Sequence, residues 1–160
     1  MPRTVSPLTL ATGIEFKYLG VDNTQKMVDF ARSRFPEAEF VEGDINELPF
    51  PDESWPIVGC RHVLEHLPGY EKALSELARV CSDCLIICLC KPLAGKQQIQ
   101  VIGNPPSQTK PNEFSEHYLN TYSKEPFMKM LKSLAFNIEV DKLVEVGGFF
   151  GNYELIIARR

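Results

Sequence analysis

The sequence carries no excess of positive charge. Its 17 lysines and arginines are outweighed by 21 aspartates and glutamates, which leaves a net charge of -4 at neutral pH. Electrostatic capture of nucleic acid, or of an anionic membrane surface, therefore has no global support, and neither is expected as a partner. Long apolar runs are missing too. The longest, Cys84 to Cys90, is seven residues, against the ~18 that argue for a membrane-spanning helix. No secretory leader is read at the start, where Arg3 is followed only by a short patch, Leu8 to Ala11, interrupted by Thr9. A cytoplasmic address is the expectation. Cysteine is odd in number at five, and four of the five crowd between Cys81 and Cys90, a spacing unlike a disulfide framework. A reducing compartment fits it better.

What is present is ordinary globular material. The chain has 160 residues, 44% of them hydrophobic and 24% charged, enough for one domain that buries roughly 70% of its unfolded surface. The whole length, 1–160, is read as a single domain, with 1–14 irregular. Short strand-like runs alternate with helical patterns, the signature of βα units and a mostly parallel sheet. Glu15 to Val21 reads as a strand ending in Asp22, and Thr24 to Phe35 as a helix with Met27, Phe30, Ala31 and Phe35 at helical spacing, stopped by Pro36. Glu39 to Glu42 is the next strand, closed by Gly43-Asp44. Trp55 to Cys60 is a third, with Pro56 confining it to an edge or a first position. A helix follows from Tyr70 to Val80, burying Leu74, Leu77 and Ala78. Cys84 to Cys90 is apolar on both faces, as a strand in the middle of a sheet is when helices cover both sides.

Residues 91–116 are rich in Lys, Pro, Gln and Asn and read as a lid or substrate loop. Ser123 caps a helix with Pro126 in its first turn and Phe127, Met130, Leu131 and Leu134 on one face. Phe136 to Val140 and Tyr153 to Ala158 pattern as a terminal pair of strands, separated by Gly147, Gly148 and Gly151. Trp55 and the Phe149-Phe150 pair read as packing residues.

Open α/β sheets bind ligands outside the carboxyl ends of their strands. Three such ends carry chemistry here. A carboxylate at Asp22 is placed to accept both hydroxyls of a ribose, or else serves as a charge at a helix N-terminus. Gly43 lets a ligand approach the backbone, and Asp44 can accept from an exocyclic amine, or the pair is merely a turn. The third end is Cys60-Arg61-His62-Val63-Leu64-Glu65-His66-Leu67. Its His-x-x-Glu-His order resembles the inverted zincin motif, yet Pro68-Gly69 ends it after little more than a helical turn and no third ligand is evident. Cys81-x-x-Cys84 has a zinc-knuckle spacing, but the cluster reads better as small core hydrophobes. No metal is expected. His117 is a third histidine that could act as an acid or base.

In this order the three strand ends, with Leu48-Pro49-Phe50 and Asp52 between them, resemble the class I S-adenosylmethionine-dependent methyltransferases of the small-molecule type. The likeness runs from about Phe16 to Leu89, and Glu116 to Phe136 looks like the family's stretch before its last two strands. It implies a Rossmann-like, mostly parallel sheet of order 3-2-1-4-5-7-6 with an antiparallel last strand. It implies S-adenosylmethionine as cofactor, its ribose held by Asp22 beside Asn23, its adenine by Asp44 (after Gly43) and Ile45, and its methionine portion above Cys60, Arg61 and His62. Transfer of the methyl is in-line, so positioning and desolvation do most of the work, and His62, His66 and His117 are candidates for a general base.

The family opens with a strand and a Gly-rich loop, whereas Gly13 is the only glycine before Phe16. A βα unit does not fit in that space. The expectation is thus an N-terminally truncated fold lacking the first strand, or a reduced sheet in which Thr4 to Leu10 partly fills the place. Two further readings follow: a non-catalytic relic or partner subunit, homo-oligomeric or covered by another chain at an exposed sheet region, and a nicotinamide enzyme, which the missing loop disfavours more.

Overall fold

The computed structural model describes residues 17–104, 115–145 and 152–160, with backbone alone at 103–104 and 115–117. The chain divides into two compact units, Met1–Pro49 and Phe50–Arg160. One domain was expected. The expected filling by Thr4 to Leu10, the start of the first strand, and the Phe149-Phe150 pair lie outside the described residues.

The first unit is a βαβ motif. Strand β1 (Leu19–Asp22) leads through α1 (Gln25–Arg34) to β2 (Glu39–Glu42), and the two strands pair in parallel from Leu19↔Glu39 to Asp22↔Glu42. Gly20 is glycine for a steric reason: a Cβ there would lie 2.5 Å from the Phe40 ring. That ring meets Tyr18 edge-on at 5.9 Å, and the Phe40 carbonyl accepts from Arg32 at 2.6 Å, tying α1 to β2. The helix departs from the expected pattern. Val28 is its buried residue, whereas Met27, Phe30 and Phe35 are exposed, Phe30 by 63%. Two strands offer a face wide enough for one line of helix side chains, and the rest of the apolar stripe is left uncovered within the unit.

The second unit holds a four-stranded sheet of order β3-β4-β8-β7. Its strands are β3 (Trp55–Arg61), β4 (Cys81–Leu89), β7 (Asn137–Glu145) and β8 (Asn152–Arg159). β3 and β4 are parallel, while β8 is antiparallel to both of its neighbours. This is the expected mixed order at the carboxyl half of the fold, with an antiparallel last strand. Pro56 sits where its missing N–H is tolerated: among the described residues β3 is an edge strand, and its register with β4 shifts between Trp55 and Ile57.

β4 lies mid-sheet as expected, but not with both faces sealed. Leu85, Ile87 and Leu89 are buried on one face, while Ile86 and Cys88 on the other are half-buried. Against the buried face packs α2 (Glu71–Val80), which buries Ala73, Leu74, Leu77, Ala78 and Val80. Helix α3 (Lys124–Ser133) adds Phe127 and Leu131. Tyr70 joins the two by meeting Tyr122 and Phe127 at 4.7 Å each.

The region 91–116, read as a lid or substrate loop, is described in part. Its described part forms a hairpin, β5 (Val101–Asn104) with β6 (Ser115–Tyr118), antiparallel from Val101↔Tyr118 to Asn104↔Ser115. Bridges Ala94↔Ser123 and Gln98↔Thr121 continue the pairing below it. Ser123 caps α3 by position, though its hydroxyl makes no cap bond to the helix.

Helix α3 ends in a Schellman motif, in which Phe136 N donates to Leu131 O and Ala135 N to Lys132 O. The left-handed position is filled by Ala135 at φ 64°, where the Cβ is penalised. Ala135→Gly is expected to stabilise the fold by about 0.5–1 kcal/mol, the relief of left-handed strain less the entropy that glycine adds to the unfolded chain. Urea unfolding checks it, and an unchanged or lower midpoint would contradict this account of the turn.

Candidate functional site

In the first unit the two acidic strand ends stand side by side. β1 and β2 stop in register, and Gly43 N donates to Asp22 O at 2.9 Å, which carries the parallel ladder one step past Asp22. Asp22 Oδ1 accepts from Thr24 N at 3.0 Å and from Thr24 Oγ1 at 2.9 Å, a turn that starts α1. Asp44 Oδ1 does the same for Asn46 N at 2.8 Å and Asn46 Nδ2 at 3.0 Å. Each carboxylate thus spends one oxygen on its own turn. The other has no partner among the described residues. Asp22, Gly43 and Ile45 are half-buried, while Asn23 and Asp44 are exposed. Gly43 has a packing reason as well, since a Cβ would come within 3.0 Å of Val21.

In the second unit the carboxyl end of β3 presents Cys60, Arg61 and His62. Cys60 is buried and Arg61 exposed. His62 leaves the strand at φ 54°, with its N–H donating to Cys88 O at 2.9 Å. Its ring lies 4.5 Å from that of Tyr153, tilted by 41°, and its Nε2 is 3.7 Å from Cys88 Sγ. Burial holds the His62 pKa below the usual histidine value, opposed by Glu65 and helped by Arg61 and His66.

The other two histidines differ from it. His66 donates from Nδ1 to the Tyr118 carbonyl at 2.8 Å, anchoring the hairpin to the turn after β3. His117 pairs with Ile102 through the backbone, and its side chain lies outside the described residues. His62, Glu65 and His66 therefore turn to different partners, and among the described residues no group of three His, Cys, Asp or Glu is placed around a metal position.

The burial of two carboxylates escaped the sequence reading. Glu65 is fully buried in the short 3-10 turn Leu64–His66, where Oε1 accepts from Cys90 N and Oε2 has no partner among the described residues. Asn120 and Tyr122 close over the same turn. Asn120 N donates to Glu65 O at 2.8 Å, its Nδ2 to Leu67 O at 2.8 Å, and the Tyr122 hydroxyl to Leu64 O at 2.8 Å. Glu154, in β8, accepts from Leu93 N and from Lys124 Nζ. The signal available for both was a lone carboxylate inside an apolar run, Val63-Leu64-Glu65 and Tyr153-Glu154-Leu155-Ile156.

Three of the thiols, Cys60, Cys81 and Cys84, are core groups. Burial pushes Cys60 up to about 12, and burial with a hydrogen bond to Glu65 does the same for Cys90. Cys84 is buried with Cys60, whereas Cys88 and Cys90 are half-buried.

A βαβ motif with acidic strand ends, followed by a sheet whose last strand is antiparallel, is the arrangement the sequence likeness called for. The model of one family, the methyltransferase domain, matches residues 4–84, just over half of the 160. This chain belongs to the methyltransferase domain family. S-adenosylmethionine is that family's cofactor. The ubiquinone/menaquinone biosynthesis C-methyltransferase UbiE of Campylobacter jejuni is 30% identical over 139 residues, covering 74% of this chain and 57% of its own length.

Among solved structures, the fold is shared with a SAM-dependent methyltransferase from Methanosarcina mazei, with TM-score 0.70 at 14% identity over 96% of this chain and 85% of that one. It is shared too with the magnesium protoporphyrin IX methyltransferase of Synechocystis with bound SAM, with TM-score 0.65 at 20% identity over 96% and 62%. The methyltransferase chain spans between 26% and 59% of the lengths of the first curated relatives it matches. Among the described residues no helix is long and apolar enough to cross a membrane.

Proposed function

We propose that this methyltransferase chain binds S-adenosylmethionine and transfers its methyl group to a small-molecule acceptor, a quinol precursor of the kind named for its curated relatives. The observation that carries the reading is the pair of acidic strand ends. Asp22 and Asp44 stand on adjacent parallel strands, each with one carboxylate oxygen spent on its own turn and one left over. That pair of acceptors suits the hydroxyls of a ribose and the amine of an adenine, both of which donate. The half-buried Ile45 beside Asp44 supplies apolar surface for the ring, and Asn23 a polar neighbour for the sugar.

When bound, the cofactor supplies an electrophilic methyl on a sulfonium. The chain's own task is then to hold adenosine by the first unit's strand ends and to position the acceptor and shield it from water. An uncharged, planar acceptor agrees with the absence of any basic excess. A test is transfer of labelled methyl from S-adenosylmethionine to a short-tailed naphthoquinol that lacks its ring methyl. Label in the quinol fraction, accompanied by an equal amount of S-adenosylhomocysteine, is expected. Cofactor binding without label in this quinol would reject the quinol class and leave the cofactor reading intact.

A further inference from the structure

We infer that His62 and Tyr153 face the methyl acceptor as a pair, His62 Nδ1 taking up the proton that the acceptor releases and Tyr153 holding the imidazole in position. The inference rests on the methyltransferase reading above. Open α/β sheets take their ligands at the carboxyl ends of the parallel strands, and within the second unit three strands converge there. His62 follows the end of β3, β4 brings Cys88, and β8, because it runs antiparallel, brings Tyr153 there from its first residues, next to the pairing Leu89↔Glu154. The antiparallel strand thus contributes a side chain that no reading of βα units alone would place at this edge.

His62 is held there against its backbone preference. A φ of 54° is uncommon away from glycine and persists where the surroundings enforce it, which happens disproportionately at functional sites. The enforcing contacts are the Cys88 carbonyl at 2.9 Å, the Tyr153 ring at 4.5 Å and Cys88 Sγ at 3.7 Å from Nε2. In the tautomer that carries its proton on Nε2, directed at that sulfur, Nδ1 presents a lone pair, and no described residue occupies it.

The charged groups around the ring have been named: Arg61 and His66 add to burial in keeping the imidazole neutral, and Glu65 works the other way. Cys88, whose thiol burial raises, stays protonated beside it. A neutral imidazole at neutral pH is the state that can accept a proton. His66 cannot take the role through Nδ1, since a carbonyl only accepts and the Tyr118 contact fixes the proton on that nitrogen.

The step balances as follows. The acceptor's ring carbon supplies the electron pair of the new carbon–methyl bond, the sulfur–methyl bond breaks with its pair leaving on sulfur, and the ring proton passes to Nδ1, from which water removes it. No oxidant or reductant is consumed.

The test uses the full chain with S-adenosylmethionine and the naphthoquinol above, and reads cofactor affinity, kcat against pH, and the His62 imidazole titration by NMR. His62→Gln is expected to lower kcat by ~10²–10⁴-fold, to leave cofactor affinity within about threefold, and to abolish the acid limb of the pH profile. Tyr153→Leu is expected to raise the His62 titration towards the ordinary histidine value and to move the acid limb with it.

A His62→Gln enzyme with the wild-type profile overturns the proposal. So does one whose loss lies in cofactor affinity, which would assign His62 to the cofactor. If the quinol is not turned over, the titration decides: a His62 that titrates at the ordinary value, or one that Tyr153→Leu does not move, overturns the pairing. Failure of the methyltransferase reading is distinct, since it appears as no cofactor binding by the wild type.

Discussion

Asp22→Ala is expected to weaken S-adenosylmethionine and S-adenosylhomocysteine binding by about 100-fold. A carboxylate that accepts two ribose hydroxyls makes two hydrogen bonds to a charged group, each worth about 1.5–3 kcal/mol. The lower end of that range, taken twice, is already a factor of roughly 100. The substitution has a second effect that must be kept apart. Asp22 Oδ1 also accepts from Thr24 N and Oγ1 at the start of α1, and losing a cap of this kind costs about 1 kcal/mol of stability. Asp22→Asn separates the two, because its side-chain oxygen still serves Thr24 while the charge is gone. It is expected to weaken binding about tenfold with little change in unfolding midpoint. Calorimetric titration of both variants checks the pair, and an Asp22→Ala affinity within twofold of wild type would remove Asp22 from the cofactor site.

The largest effect on stability is expected from Lys124→Met. The Glu154 side chain is 3% exposed, with Lys124 Nζ 3.0 Å from its Oε1 and 2.8 Å from Asp141 Oδ2. Removing one partner of a buried pair typically costs about 3–5 kcal/mol, because the other charge is left uncompensated. Lys124 itself is about half exposed, so screening reduces the expectation to about 2–3 kcal/mol.

The loss depends on pH with a definite sign. Burial, and then the hydrogen bond with Asp141, hold the Glu154 pKa above the ordinary 4.5, with Lys124 opposing. A raised carboxyl pKa contributes stability that is present below the unfolded value and is lost as pH rises through the folded one. Asp141 is shifted the other way: Lys124 and Glu154 bonds hold it below 3.8 against the first cause, burial, so its contribution is present above that value and is lost as pH falls. Without the lysine, Glu154 ionises at greater cost. The gap between wild type and Lys124→Met should therefore be smaller near pH 4, where Glu154 is mostly protonated and the Asp141 pairing alone is lost, and widen towards pH 7. Urea unfolding at the two pH values measures it; a gap that is constant or narrows would contradict the placement of Glu154. Lys124→Arg, which keeps a cation, should recover most of the loss at neutral pH.

What could be read from the sequence follows the range of the interactions involved. β2 lies at Glu39–Glu42 as its pattern indicates, and the three helices begin and end within a residue of the expected positions. Their boundaries are written locally, in Thr24, Pro36, Ser123 and Pro126. The terminal pair of strands, and the limit Pro56 sets on β3 to an edge or a first position, were legible for the same reason, whereas the order of the strands came from the family resemblance.

The hairpin β5–β6 was not. It depends on pairing Val101 with Tyr118 and Gln98 with Thr121 across an intervening polar stretch, and nothing in a Gln- and Pro-rich run signals a partner that far along the chain. The buried Glu65 and Glu154 are of the same kind, stabilised by Cys90 and Lys124 from distant segments. At the candidate site, Asp22 and Asp44 could be named from strand ends alone. Tyr153 could not, because it reaches the carboxyl edge only through the antiparallel course of β8.

The central claim is that the acidic ends of β1 and β2 give this methyltransferase chain a working cofactor site. Titration of the purified wild-type chain with S-adenosylhomocysteine in a calorimeter tests it most directly, with folding confirmed on the same sample by circular dichroism. The account predicts saturable binding at a stoichiometry of about one per chain, strongly reduced in Asp22→Ala. A folded sample that takes up no heat of binding across the titration would contradict it.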